Sequence, residues 1–184
     1  MITNEGGKKK ILQLLTHKRT GLQEMILEDQ KLGEDKALVL FAVSKHGRAL
    51  EFAAASLRED HEVVLEAVQN DGRALRYATS ALRNSPIVCE SACSQNGIAL
   101  QYVSREMRRR DDVVHAAVGQ NGMALAFAST SQRRCLKTVL IAVRNDKRAI
   151  HFACRNLTAS SKEKFVALTL LSRPHMLICF GNFR

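Results

Sequence analysis

The fold is decided by a stretch of 25 residues, Asp60–Asn84, which reads DHEVVLEAVQNDGRALRYATSALRN. Close copies of this stretch follow one another along the chain without insertions. Residues that recur at a spacing of 25 include the glycines Gly47, Gly72, Gly97 and Gly122, the leucines Leu50, Leu75, Leu100 and Leu125, and the alanines Ala42, Ala67, Ala92, Ala117 and Ala142. A fixed period of this length is typical of architectures in which similar units pack on one another.

A single unit has the pattern of two short helices. Asp60 is a favourable N-cap, because its carboxylate accepts a hydrogen bond from a backbone N–H that has no partner inside the helix. Val64, Ala67 and Val68 follow at the spacing of one apolar helix face. We expect Gly72 to end this helix in the left-handed conformation, which glycine reaches at little steric cost. The apolar residues beyond it return to helical spacing, so the unit is predicted to contain two helices of about three turns each.

These units predict an all-α fold, an α-solenoid of seven 25-residue helix-turn-helix repeats behind a flexible polar arm. The arm is 1–9, and the units are 10–34, 35–59, 60–84, 85–109, 110–134, 135–159 and 160–184. The two terminal units are degenerate: Leu22 stands at the glycine position of the first, and Pro174 interrupts the last. Lys147 replaces the glycine in unit 135–159, where we expect Asn145 or Asp146 to take the left-handed conformation instead.

Composition indicates a folded intracellular protein whose basic charge suits acidic partners, nucleic acid or an anionic surface. The 184 residues are 46% hydrophobic, carry a formal net charge of +10 and include five cysteines without paired spacing, which favours a reducing compartment. No secretory signal is visible, and the longest strongly apolar run, Leu38–Val43, is too short to span a membrane. Seven of the ten net positive charges fall in residues 135–184.

An arginine recurs near the end of four successive units, as Arg58, Arg83, Arg108 and Arg133. This ladder has two interpretations. The arginines form a stripe that binds phosphates, or each lies at a helix C-terminus, where it complements the helix dipole and meets the acidic cap of the next unit, as Arg58 would meet Asp60. We favour the second, because the ladder is part of the repeat consensus.

Arg109, Arg110 and Arg134 add further positive charge beside the ladder. Two clusters are not explained by the consensus and are better candidates for an electrostatic contact with phosphates or a partner: Arg108, Arg109 and Arg110, and Lys137, Arg144, Lys147 and Arg148. The aromatic series Phe52, Tyr77, Tyr102, Phe127 and Phe152 offers a possible row for stacking on bases, but its spacing beside leucine and alanine favours the core.

The last unit ends in an apolar segment, which is unusual for a terminal repeat. Its candidate docking residues are Met176, Leu177, Ile178, Phe180 and Phe183. Two interpretations stay open: a final strand or turn that folds back on the units and is buried, or an exposed surface that docks on a partner protein.

No catalytic or metal-binding constellation stands out. The sequence lacks a glycine-rich phosphate loop, an HExxH motif and a G-x-S-x-G motif. Cys89 and Cys93 share a helix face, but they occupy the positions of Val64 and Val68, which predicts buried thiols. We therefore expect no catalytic residues, no metal, no cofactor and no small-molecule substrate.

The consensus DxxVVLxAVxxNGxALxYASxxLR resembles a family of short tandem helical repeats that is catalogued as a domain of unknown function, plentiful in protists and also seen in effectors of intracellular bacteria. The resemblance is best over Asp35–Arg133 and fades at both ends. It implies a helical fold and carries no activity. We therefore expect a non-enzymatic interaction scaffold within a larger assembly, with an RNA-contacting, ribonucleoprotein-type subunit as the alternative.

Overall fold

The computed structural model describes residues 33–154, and every regular element in this range is helical. Each of the five units from 35–59 to 135–159 begins with a ten-residue α-helix, and unit 110–134 also ends with a short extra α-helix. The α-helices are α1 (Lys36–Lys45), α2 (His61–Asn70), α3 (Pro86–Gln95), α4 (Asp111–Gln120), α5 (Thr130–Arg134) and α6 (Leu136–Asn145). The arm 1–9, residues 10–32 of the first unit, residues 155–159 and the last unit 160–184 lie outside the described residues.

The expected cap is present at the start of α2. The Asp60 Oδ1 atom accepts hydrogen bonds from the backbone N–H groups of Glu62 (2.9 Å) and Val63 (3.2 Å). Val64, Ala67 and Val68 are fully buried, as their spacing predicts. The first half of the unit is therefore an amphipathic α-helix whose start and inward face can be derived from local chemistry.

The second predicted helix of each unit is present, but it is a 3₁₀ helix of five or six residues, so the expected length of about three turns was wrong. These 3₁₀ helices are η1 (Gly47–Phe52), η2 (Gly72–Tyr77), η4 (Gly97–Gln101), η6 (Gly122–Phe127) and η7 (Lys147–Phe152), and two shorter ones are η3 (Leu82–Asn84) and η5 (Met107–Arg109). Asn96 shows the reason. Its backbone is extended (φ −149°), so α3 stops there, and its side chain accepts from the Ile98 N–H at 3.1 Å, which starts η4. Such 3₁₀ helices seldom extend far.

The repeated glycines are required for close packing between units, and the predicted left-handed conformation is absent. None of Gly47, Gly72, Gly97 and Gly122 has a positive φ. A Cβ atom on Gly97 would overlap the carbonyl oxygen of Ala117 in the next unit, and the other three glycines face the equivalent alanine carbonyls in the same way. The expectation for Asn145 and Asp146 was also wrong: Asn145 ends α6, and Asp146 is extended with φ −138°.

Each unit packs against the next along the described chain. Helix α1 contacts α2, α2 contacts α3, α3 contacts α4, and α4 contacts α6. The core between them is aliphatic, with Leu50, Leu75, Leu100 and Leu125 fully buried at its centre. The aromatic series at Phe52, Tyr77, Tyr102, Phe127 and Phe152 is only partly buried and packs against the edge of this core.

A side-chain amide joins each pair of neighbouring units beside the glycine. The backbone N–H of the glycine donates to an Asn or Gln that ends the next α-helix: Gly47 to Asn70 (2.8 Å), Gly72 to Gln95 (2.7 Å), Gly97 to Gln120 (2.6 Å) and Gly122 to Asn145 (2.7 Å). The amide nitrogens of three of them donate back to a carbonyl of the preceding unit: Asn70 to Ser44, Gln95 to Asn70 and Asn145 to Gly119. We call this arrangement the amide clamp.

Candidate functional site

The arginines of the ladder lie in the segment that connects one unit to the α-helix of the next. Their backbone carbonyls accept hydrogen bonds from the following unit: Arg58 from Thr79, Arg83 from Ser104, Arg108 from Ser129 and Arg133 from Cys154, at 2.9–3.3 Å. All four side chains are half-buried. The ladder position thus has a structural role through its backbone, on the edge of the molecule opposite the glycines, where the α-helices begin.

The ladder side chains do not make the predicted contact with the acidic caps. Asp60 binds Lys36 at 2.8 Å, and Arg58 forms no ion pair among the described residues. Arg108 alone is held by hydrogen bonds, from Nε to the Val103 carbonyl (3.0 Å) and from Nη2 to the Gln101 carbonyl (2.7 Å). The buried Nε atoms of Arg58, Arg83 and Arg133 have no hydrogen-bond partner within residues 33–154.

Two of the other candidate arginines are paired with acids of their own unit. Arg110 contacts Asp112 at 2.6 Å, and Arg148 contacts Asp146 at 2.8 Å. Hydrogen bonding from Arg110 lowers the pKa of the Asp112 carboxyl to about 2. These pairs are partly exposed, so they leave the guanidinium groups accessible but partly neutralised.

The basic residues around α6 are divided between its two ends. Lys137 lies in the first turn and Arg144 in the last, which separates them by about 10 Å along the helix axis. Lys147 and Arg148 follow at the Arg144 end, and all four side chains are exposed. The structure therefore does not bring the four residues into one cluster.

A cleft of about 540 Å³ opens between the connecting segments of units 85–109 and 110–134. It is lined by Arg105, Arg108, Arg109, Phe127, Ala128, Ser129, Thr130, Ser131 and Arg133. Three predicted site residues (Arg108, Arg109 and Arg133) thus meet here with Arg105, which the sequence analysis did not single out. The lining carries four guanidinium groups and no carboxylate, a combination that suits an anion.

A buried polar network lies beside this cleft. Gln132 is only 4% exposed, and its Nε2 atom donates to the Arg109 carbonyl (2.8 Å) and to Asp111 Oδ1 (2.6 Å). Its Oε1 atom accepts from the hydroxyl of the fully buried Thr138 at 2.6 Å, and that hydroxyl also contacts His115 Nε2 at 3.1 Å. The network ties the backbone of Arg109 to the core.

Sequence comparison between units contains the signal for this network. The equivalents of Gln132 are Leu57, Leu82 and Met107, and those of Thr138 are Val63, Val88 and Val113. Two positions that are apolar in the other units are therefore both polar here, and the two side chains contact each other. Arg105 likewise departs from Ala55, Ser80 and Thr130, and Arg109 departs from Glu59 and Asn84, although Arg155 and Arg134 repeat the arginine at these two positions.

The remaining candidates contribute little to this site. Cys89 and Cys93 are fully buried, as predicted, and desolvation raises the pKa of each thiol to about 12. No group of three or more potential metal ligands occurs within residues 33–154. In the same range, no helix is long and apolar enough to cross a bilayer. The apolar docking residues Met176, Leu177, Ile178, Phe180 and Phe183 lie outside the described residues.

Comparison with known proteins identifies the repeat. The family model described as a domain of unknown function, DUF4116, matches the chain twice in tandem, at residues 35–83 and 86–133. Each match spans two of the 25-residue units, and together they cover just over half of the chain. No curated protein and no solved structure matches it. The chain therefore belongs to the DUF4116 family, with two tandem copies of that domain of unknown function.

Proposed function

We propose that the chain is a non-enzymatic interaction scaffold: an α-solenoid of seven 25-residue units that serves as a subunit of a larger assembly in a reducing, intracellular compartment. The observation that carries this proposal is the amide clamp, which joins units 35–59 to 135–159 through four equivalent junctions. Units joined in the same way add up to a long surface, which is how repeat proteins engage their partners.

The use of the reactive side chains supports a role without catalysis. Asp60 caps a helix, Cys89 and Cys93 fill the positions of core valines, and His115 contacts a buried hydroxyl. Each of these groups has a structural partner, and none of them faces the arginine cleft.

The partner of the scaffold is a protein that docks on the apolar C-terminal residues, Met176, Leu177, Ile178, Phe180 and Phe183. The test is purification of the tagged full-length chain and of a chain that ends at residue 174, both from their native cells and both with and without nuclease. We expect the full-length chain to elute in a stoichiometric complex that survives nuclease, and the shortened chain to elute alone. A shortened chain that keeps the whole complex would overturn this docking role, and a full-length monomer would overturn the scaffold.

RNA contact is the second candidate function, and the charge distribution favours it. Residues 105–148 hold ten lysines and arginines against four acids, whereas residues 33–104 hold seven against nine. Phosphate binding by such a surface weakens steeply as salt rises, because bound counterions are released. The measurement is RNA retention over a salt series for the double variant Lys137→Glu/Arg144→Glu, with Lys45→Glu/Arg73→Glu as the charge-matched control. Equal retention by the two variants would exclude this function.

A further inference from the structure

Among the junctions between units that lie wholly within residues 33–154, the arginine cleft is specific to one. Arg108 and Arg133 belong to the ladder, but Arg105 and Arg109 have neutral or acidic equivalents in two or more units. At the junction one unit earlier, Ser104 Oγ contacts Asn84 Oδ1 at 2.6 Å, and Asn84 Nδ2 contacts Glu106 Oε2 at 3.4 Å. That junction pairs its serine, asparagine and glutamate side chains with one another, whereas the cleft collects positive charge without an acid.

The cationic groups of the cleft are available to a ligand. Arg105 and Arg109 are exposed, and neither side chain takes part in an ion pair or a hydrogen bond within the part of the chain that the structure describes. The Arg133 Nε atom is buried without an acceptor. Arg58 and Arg83 share that last feature, so the convergence of Arg105 and Arg109 on Arg133 is what distinguishes the cleft.

Hydroxyl groups complete the polar wall. Ser129 Oγ and Ser131 Oγ lie 2.8 Å apart and share one hydrogen, which leaves the second hydroxyl hydrogen free to donate to a ligand. Ser129 Oγ is also fixed by the Gln132 N–H at 3.3 Å. Guanidinium and hydroxyl donors that converge without a carboxylate are the groups that bind phosphate oxygens.

The cleft is larger than a phosphate needs, and one wall is aromatic. Its volume of about 540 Å³ lies in the range of small-molecule sites, which is roughly 300–1,000 Å³. Phe127 is half-buried and lines the cleft beside the hydroxyl groups. Aromatic side chains beside cationic grooves stack on nucleobases with little regard to sequence.

We propose that this cleft binds a nucleotide, with the phosphate on Arg105, Arg109 and Arg133 and the base against Phe127. The nucleotide is either free or part of a single RNA strand, and both sources present the same chemistry. Arg108 is not assigned a phosphate contact, because its guanidinium is already bound to two backbone carbonyls of its own unit. The inference stands apart from the scaffold role, since it needs neither the C-terminal residues nor an assembly partner.

The test is calorimetric titration of the purified full-length chain with AMP, inorganic phosphate and adenosine. We expect AMP to bind more tightly than phosphate, and adenosine to bind most weakly. The double variant Arg105→Gln/Arg109→Gln should weaken AMP binding by about tenfold or more, because two charge-assisted contacts are lost. The matched control Lys45→Gln/Arg73→Gln removes two exposed charges outside the cleft and should change the affinity for AMP less than twofold. Thermal melts of both variants check that the fold is intact.

Two further measurements test the contact between Phe127 and the base, and show whether the nucleotide is free or part of an RNA strand. Phe127→Leu should weaken AMP binding and leave phosphate binding unchanged. The site is assigned to an RNA strand if a labelled single-stranded RNA binds more tightly than AMP and loses affinity in Arg105→Gln/Arg109→Gln. It is assigned to a free nucleotide if AMP binds more tightly than the RNA. The proposal is overturned if AMP does not bind, if its affinity is the same in the two double variants, or if a phosphoserine peptide binds in preference to AMP and RNA. These outcomes leave the partner-capture test of the scaffold unaffected.

Discussion

The backbone N–H of Gly97 donates to the Oε1 atom of Gln120, 2.6 Å away in the next unit. The glycine position of the unit therefore has two requirements. It has no room for a side chain, and its backbone N–H needs a side-chain amide from the next unit as its acceptor. Where the glycine is missing, the amide is missing too. Leu22 takes the glycine position and Lys45 takes the amide position of the following unit, and Lys147 and Leu170 take the same two positions further along the chain. The two positions therefore change together within a single chain, which marks the four clamped junctions as one structural type.

Replacement of Gly97 by alanine is expected to lower the free energy of unfolding by about 3 kcal/mol, because overpacking at a backbone contact forces neighbouring elements apart. The new Cβ atom would overlap the Ala117 carbonyl and lie 3.0 Å from the Asn121 Cβ atom. Chemical denaturation monitored by circular dichroism measures the change. Gly119 is the matched control: it lies inside α4, and the nearest atom to an added Cβ is Ile141 Cγ2 at 4.0 Å. Gly119→Ala should stabilise the protein by about 0.5–1 kcal/mol. Similar losses for the two variants would contradict the packing role of Gly97.

The amide clamp makes its own contribution to stability. Gln95→Leu removes an acceptor from the buried Gly72 N–H (2.7 Å) and a donor from the Asn70 carbonyl (3.0 Å). An expected loss of about 2 kcal/mol follows from leaving such groups unpaired. Gln95→Asn should cost much less, since asparagine serves at the equivalent positions 70 and 145. Equal denaturation midpoints for the leucine and asparagine variants would show that shape alone matters here.

Local chemistry predicts the first half of the unit, whereas for the second half it predicts a helix but neither its type nor its length. The cap at Asp60 and the buried face of α2 follow from sequence, because both depend on residues within one helix. Glycine is required at position 97 because of the Ala117 carbonyl, which lies 20 residues further along the chain. The residues next to Gly97 do not reveal this contact, so the local sequence resembles an ordinary helix end. The 3₁₀ helix is equally hidden, since six residues are too few to separate its period from that of an α-helix.

The arginine cleft was only partly visible in the sequence for a similar reason. Arg108, Arg109 and Arg133 stand out as a ladder and a cluster, but Arg105 is a single surface residue until the next unit folds against it. The buried pair of Gln132 and Thr138 is recoverable by aligning the units, because two adjacent core positions become polar together.

The ion pair at the start of α2 should make stability depend on pH in the acidic range. Hydrogen bonding from Lys36, followed by bonds from the backbone at Val63 and Glu62, lowers the pKa of Asp60 below its ordinary value of 3.8. A folded-state pKa below the unfolded one gives stability that is present above the unfolded value and is lost as pH falls through the folded value. Asp60→Asn keeps the cap and removes the charge. Its Tm should be about 2 °C below that of the unchanged protein at pH 7.

That difference in Tm should shrink as the pH falls below the ordinary value of 3.8, and it should disappear once the carboxyl of Asp60 is protonated in the folded protein as well. It should also shrink at high salt, because the pair is partly exposed. A difference that persists unchanged in acid would mean that Asn is simply a poorer cap at this position.

Thiol labelling should distinguish Cys135 from Cys89 and Cys93. Burial raises the pKa of Cys89 and Cys93 to about 12, so almost no thiolate forms there near neutral pH. At Cys135 desolvation acts in the same direction, but hydrogen bonding, led by the backbone at Thr138 and followed by the backbone at Lys137, outweighs it and lowers the pKa. Brief treatment with iodoacetamide followed by peptide mapping should find Cys135 modified well before the other two. The order should vanish in denaturant, and early modification of Cys93 in the folded protein would contradict its burial.

The contact between Gln132 and Thr138 should appear as strong non-additivity. Thr138→Val leaves the Gln132 Oε1 atom without its buried donor, and Gln132→Leu takes the acceptor from the Thr138 hydroxyl, so each single change should cost about 1–2 kcal/mol. The double variant restores the leucine and valine that other units carry, but it also takes the Gln132 amide from the Arg109 carbonyl and Asp111. Its loss should therefore be smaller than the sum of the two single losses by about 1 kcal/mol or more. Denaturation of all four chains completes the cycle. Because the Arg109 carbonyl is freed from Gln132, the double variant should also bind AMP less tightly. Additive losses would show that the two residues act separately, and unaltered AMP binding would show that the network does not position Arg109.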